Sequence, residues 1–124
     1  MADIDFAPTK TSSAEVISQA HGRVLDANTF DVDLAVRYHD HCQGVQRVNS
    51  FDQDVRRVIP AFADMGVKEA GIKFQDMQDL LSTLNTTEGK AKLEGMIKDE
   101  VSPRLADLCL TTDGVELRHV HTGK

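Results

Sequence analysis

Tryptophan is absent and tyrosine occurs once, so the sequence is poor in the aromatic anchors that dominate compact binding hot spots. Any partner surface is expected to be a helix face or a strand edge rather than a single anchored pocket. Cysteine occurs only twice, at Cys42 and Cys109, too sparsely for a disulfide scaffold in 124 residues. Both are expected to be reduced core thiols, which favours a cytoplasmic setting. No apolar run exceeds three residues, against the roughly 20 that span a bilayer, so no membrane contact is expected. The first ten residues carry Asp3 and Asp5 where a secretory leader would place positive charge, and no cleaved signal is expected.

Positive charge is also in deficit. Lys and Arg number 14 against 20 for Asp and Glu, a formal charge of -6. The excess is spread evenly between the two halves, with no acidic tail and no basic arm. No sequence-wide positive field draws the chain to phosphates, and direct nucleic-acid binding is not expected. What is present is 40% apolar residues in a length suited to one domain.

The apolar residues recur mainly at three- and four-residue spacings, the signature of amphipathic helices. Val16, Ile17, Ala20, Val24 and Ala27 predict a helix over about 13–28, entered through Ser12 or Ser13 and closed by Asn28 and Thr29. Leu34, Ala35, Tyr38, Cys42 and Val45 predict a second, starting at Thr29 or Asp31. Ser50-Phe51-Asp52-Gln53 forms a capping box for a third, with a kink expected at Pro60 and a break at Gly66. Val67, Ala70, Phe74, Met77, Leu81 and Leu84 give the cleanest stripe and predict one helix from Val67 to Leu84. Thr87 caps a further helix through Leu93, Ile97 and Val101, which kinks or restarts at Ser102-Pro103. The fold class expected is all-α, a bundle of four to five amphipathic helices over 12–110 with a minor extended element at the termini.

The ends read differently. Residues 1–11 form an extended arm in which Ile4 and Phe6 alternate with Asp3 and Asp5. After the Thr112-Asp113-Gly114 turn, residues 115–121 of the 111–124 tail alternate like a strand, with Val115 and Leu117 buried and His119 and His121 continuing that face. A lone strand must find a mate, either the arm or another molecule. Val115, Leu117, His119, His121, Ile4 and Phe6 are therefore the expected partner-contact residues.

Chemistry-bearing clusters are few. On a helix His39 and His41 point about 160° apart and cannot converge, whereas His39 and Cys42 lie about 60° apart. With His119 and His121 on one strand face, His39, Cys42, His119 and His121 make a conceivable zinc set, with structural boundary positions the simpler account. Cys42 beside His39 is a weak thiol-base pair, because it sits late in a helix on the apolar stripe. Asp31-Val32-Asp33 and Asp52-Gln53-Asp54 are read as helix starts, where carboxylates favour the dipole. No catalytic set and no cofactor is expected. The leading expectation is a non-catalytic acidic interaction protein, an oligomer subunit or an adaptor binding a larger protein. The alternatives are an acidic inhibitor that mimics nucleic acid in a partner's basic groove, and a zinc-dependent protein.

Overall fold

The computed structural model of the chain describes residues 2–6, 14–40 and 50–122. Its strands are β1 (Ala2–Asp5), β2 (Ala14–Arg23), β3 (Thr29–Asp40) and β4 (Leu110–Thr122). Its helices are α1 (Phe51–Gly71), α2 (Met77–Leu84) and α3 (Thr87–Ala106). The strands form one antiparallel sheet in the order β1-β4-β3-β2. The all-α expectation is therefore wrong: the chain is a mixed α and β fold and not a helical bundle.

The error lies in residues 14–40. A spacing of four satisfies a strand's period of two as well as it satisfies a helix, and Val16, Ala20 and Val24 obey both. The buried set, however, alternates along both strands: Val16, Ser18 and Ala20 on β2, and Phe30, Val32, Leu34, Val36 and Tyr38 on β3, with Ala35 buried in addition on the opposite face. Val24 donates its N–H to the Asn28 carbonyl (3.0 Å), Asp26 accepts from the Asn28 N–H (3.1 Å), and Ala27 adopts φ 77°. Asn28 thus belongs to a hairpin loop rather than a helix end. The loop aligns Ala14 with Tyr38 and Arg23 with Thr29 over ten residue pairs. Gly22 lies opposite Phe30, where a Cβ would stand 2.4 Å from the ring, so the aromatic ring lies over bare backbone.

Helix α1 runs through both Pro60 and Gly66, so the break expected at Gly66 is absent. Gly66 serves packing instead: a Cβ there would meet Ile97 Cγ2 at 3.0 Å, and its absence lets α1 approach α3 closely. The single helix expected over 67–84 is divided by a turn at residues 72–76. The β2–β3 loop captures that turn, Leu25 donating to the Phe74 carbonyl (2.9 Å) and Asp26 to the Gln75 carbonyl (3.2 Å). Asp76 then caps α2 by accepting the Asp79 N–H at 2.8 Å. Thr86, one residue before the expected cap, accepts the Gly89 N–H at 2.9 Å and starts α3, which continues past Pro103.

Helix α1 packs against β2 and α3 against β4, both on the same sheet face. Leu34, Ile59, Leu93, Ile97, Leu105 and Leu117 are fully buried between the layers. Among the described residues no helix is long and apolar enough to cross a membrane. Cys109, with φ 61° in the α3–β4 turn, is disulfide-bonded rather than the reduced thiol expected. Cys42 lies outside the described residues.

The C-terminal segment is not peripheral. β4 is an interior strand, paired with β3 along one edge and with β1 along the other (Ile4 with Val120). The N-terminal arm is thus the mate found. The expected alternation fails at one point: Leu34 pairs with Leu117 while Asp33 pairs with His119, so Arg118 is an extra residue in a β-bulge. One added residue exchanges the faces. Val115 and Leu117 point toward the helices before the bulge and Val120 after it. His119 and His121 are consequently on the opposite face, not on that of Val115 and Leu117 as the sequence reading had it.

Candidate functional site

Asp3-Ile4-Asp5 on β1, His119-Val120-His121 on β4 and Asp31-Val32-Asp33 on β3 are three triplets of one design, a small apolar residue between two titratable ones. The register stacks them side by side. Ile4, Val120 and Val32 face the core, and the titratable residues face away from the helices. Two rows result. One runs Asp3, His121, Asp31 and His21, and the other Asp5, His119, Asp33 and Gln19, the last member of each row coming from β2.

Within the first row, His121 Nδ1 is hydrogen-bonded to Asp3 Oδ1 at short range, and His21 Nδ1 lies 2.5 Å from Asp31 Oδ1. In the second, His119 Nδ1 lies 2.5 Å from Asp5 Oδ1. The rows are joined because His119 Nε2 is 3.3 Å from Asp3 Oδ1. The hydrogen bond from His121 holds the Asp3 carboxyl below the usual range, and it outweighs an opposing desolvation with help from the charges of His121 and His119. The hydrogen bond to Asp5 raises the pKa of His119, helped by the charges of Asp5, Asp3 and Asp33. The patch is accessible: Asp5 is 83% and Asp3 53% exposed, whereas the two imidazoles are about one-third exposed.

Farther along the sheet the same face carries a tighter ring of charge. Glu116, only 6% exposed, accepts from Arg37 Nη2 (3.0 Å) and from Arg118 Nε (2.8 Å). Glu15 accepts from the same two guanidinium groups at 3.3 and 2.9 Å. The bulge residue Arg118 thereby closes a four-membered circuit of alternating sign. A buried carboxylate with two guanidinium partners is a satisfied structural group.

The residues proposed from sequence fare unequally. His119 and His121 stand together on the exposed patch. His39 is bonded to Asp113 (2.7 Å), six residues along β3 from Asp33, or roughly 20 Å at strand rise, so it cannot share an ion with them. The zinc set read from sequence is therefore not assembled, and its fourth member, Cys42, lies outside the described residues, as does the thiol-base pair built on it. Val115 and Leu117 are buried under the helices. Ile4 and Phe6 pack at the core margin, where Phe6 donates to the Arg118 carbonyl (3.0 Å) and lies beneath Lys90. Asp31 and Asp33 are strand residues of the patch, not helix starts, while Asp52 and Asp54 do occupy the first turn of α1.

Sequence reasoning missed Asp3, Asp5, Asp31, Asp33 and His21 as site members. The repeated triplet was the available signal. Beside the patch, His21, Gly22, Arg23, Thr29, Lys68 and Ile72 line a cavity of about 350 Å³. In comparison with known proteins, no family model and no curated protein matches the chain.

Proposed function

We propose that the chain is a non-catalytic interaction module, an adaptor or assembly subunit, which takes a basic segment of a protein partner on the Asp/His patch. The observation that carries this reading is the excess of carboxylates there: Asp3, Asp5, Asp31 and Asp33 surround two imidazoles in adjoining exposed rows. Four carboxylates flank His119 and His121, two on each neighbouring strand, so the surface around them stays net negative in either imidazole state. Such a surface is complementary to Lys- or Arg-rich chain, and the acidic whole-molecule charge steers association in the same sense. His119 and His121 keep the partner-contact role expected from sequence, whereas the buried Val115 and Leu117 support the platform from beneath. The setting that suits this reading is one in which a disulfide persists, since the cytoplasmic expectation rested on reduced cysteines.

The test uses a fluorescent peptide alternating Lys and Ser, titrated with the full chain at low and at physiological salt. Binding is expected to weaken at least tenfold in the Asp31→Asn/Asp33→Asn double variant. Equal weakening by neutralising Glu69 and Asp99, exposed acids on the helices, would mean general charge attraction and overturn the reading.

A further inference from the structure

The geometry points to a divalent transition-metal site, of the kind that takes Zn²⁺, formed by Asp3, His119 and His121. One ligand atom from each of the three side chains lies within 4.8 Å of the others. Two imidazole nitrogens and one carboxylate make a set suited to zinc and its neighbours, whereas calcium and magnesium favour oxygen alone. The three come from two strands, with His119 and His121 two apart on β4 and Asp3 opposite His121 on β1. Their side chains therefore leave the same sheet face.

The arrangement around His119 is what separates this group from an ordinary ion-pair row. Its Nδ1 lies 2.5 Å from Asp5, so that in the tautomer with the proton on Nδ1 the Nε2 lone pair is available to an ion. That Nε2 is the atom directed at Asp3, 3.3 Å from its Oδ1. A carboxylate on one ring nitrogen and an ion on the other is the usual support of a metal-bound histidine, since the outer carboxylate fixes ring orientation and raises basicity. Asp31 and Asp33, register partners of His121 and His119 on β3, add negative charge behind the ligands. Three protein ligands on an accessible face leave coordination positions for water or for a group from a partner.

An ion held there also ties β1 to β4. The edge strand has only four residues, each paired to β4. A bond through Asp3 crosslinks it to the interior of the sheet, so occupancy of the site and order of the edge strand are coupled. This inference stands apart from the basic-peptide reading, because Asp31→Asn/Asp33→Asn leaves all three ligands in place while His121→Ala leaves all four carboxylates.

The experiment is calorimetric titration of the untagged, chelator-treated full chain with zinc chloride, repeated with Co²⁺ to read the ligand field by visible absorption. One equivalent is expected to bind, with zinc preferred over Ca²⁺ and Mg²⁺. His121→Ala and Asp3→Asn should each weaken binding at least tenfold, Asp5→Asn should weaken it about 10- to 100-fold through His119, and His39→Ala should leave it unchanged. Amide exchange at residues 2–6 should slow on adding zinc. Circular dichroism verifies that each variant is folded. Failure to bind one equivalent, or binding that survives both His121→Ala and Asp3→Asn in folded protein, would leave a row of ion pairs and overturn the site.

Discussion

Inserting one alanine between Arg118 and His119 is the most demanding perturbation of this fold, because the number of residues between Leu117 and His119 sets which side of β4 carries the histidines. With the bulge kept and one residue added after it, alternation would turn His119 and His121 toward the helices and Val120 outward. Val120 is 1% exposed, and losing its burial costs roughly 1.5–3 kcal/mol. Each imidazole forced inward without a partner adds roughly 1–3 kcal/mol. Together these amount to roughly 3.5–9 kcal/mol, comparable with the whole stability of a small domain at about 5–15 kcal/mol. The chain avoids this only by giving up the end of β4 and with it β1. Arg118→Ala, by contrast, keeps the register and loses two half-buried ion pairs, for about 1–2 kcal/mol. Urea unfolding of both variants provides the assay, with amide exchange reporting residues 2–6 and 119–122. If the insertion matches Arg118→Ala in midpoint and in exchange protection, the residue count at the bulge does not determine the faces and the reasoning fails.

Two further outcomes follow from packing and charge. Gly66→Val should push α1 away from Ile97 and cost about 1–3 kcal/mol, read as a fall in thermal midpoint of several degrees; an unchanged midpoint would show that the α1–α3 contact is loose. Asp64 anchors α1 to β2 by accepting the His21 N–H (3.0 Å) and the Lys68 ammonium (2.7 Å). Burial pushes the Asp64 carboxyl pKa up, but these partners outweigh it and the net shift is downward. A depressed folded pKa means that the stabilisation is complete above the ordinary carboxylate value and is lost as pH falls through the folded one. Asp64→Asn should therefore cost about 1 kcal/mol at pH 7 and progressively less in acid, and a difference between the two proteins that grows on acidification would refute the sign.

Helix α1 was legible as a helix from its capping box and apolar spacings, but its extent and face were not: Val67 and Ala70, expected in the next helix, are buried with Val55, Ile59 and Ala63 on one continuous α1 face. Residues 14–40 were misread because Val16, Ala20 and Val24 are spaced by four, which both periods allow. The turn between them carries no glycine and announces itself only through Asp26 and Asn28. The strand-like tail was recognised, and the arm was one of its two foreseen mates. Its facing was not legible, since nothing local in Glu116-Leu117-Arg118 signals a bulge. The site was half visible. His119 and His121 are two apart in sequence, but their carboxylate partners lie 86 to 118 residues away, and only the register of three strands unites them.

Because β4 lies between β1 and β3 yet follows every element it joins, the sheet cannot close until the last strand has been made. Until then the β2–β3 hairpin presents a bare strand edge at Leu34 and Val36, and β1 has nothing to pair with. Closing contacts such as Ala2 with Thr122 span nearly the whole chain, and this long-range pairing slows folding and prolongs exposure of that edge. The helices mature earlier, through local contacts, and α1 can already shelter β2. The hazard for this protein during synthesis is therefore intermolecular strand pairing along β3, relieved in one late step when residues 110–122 arrive and the Asp/His rows are assembled with them.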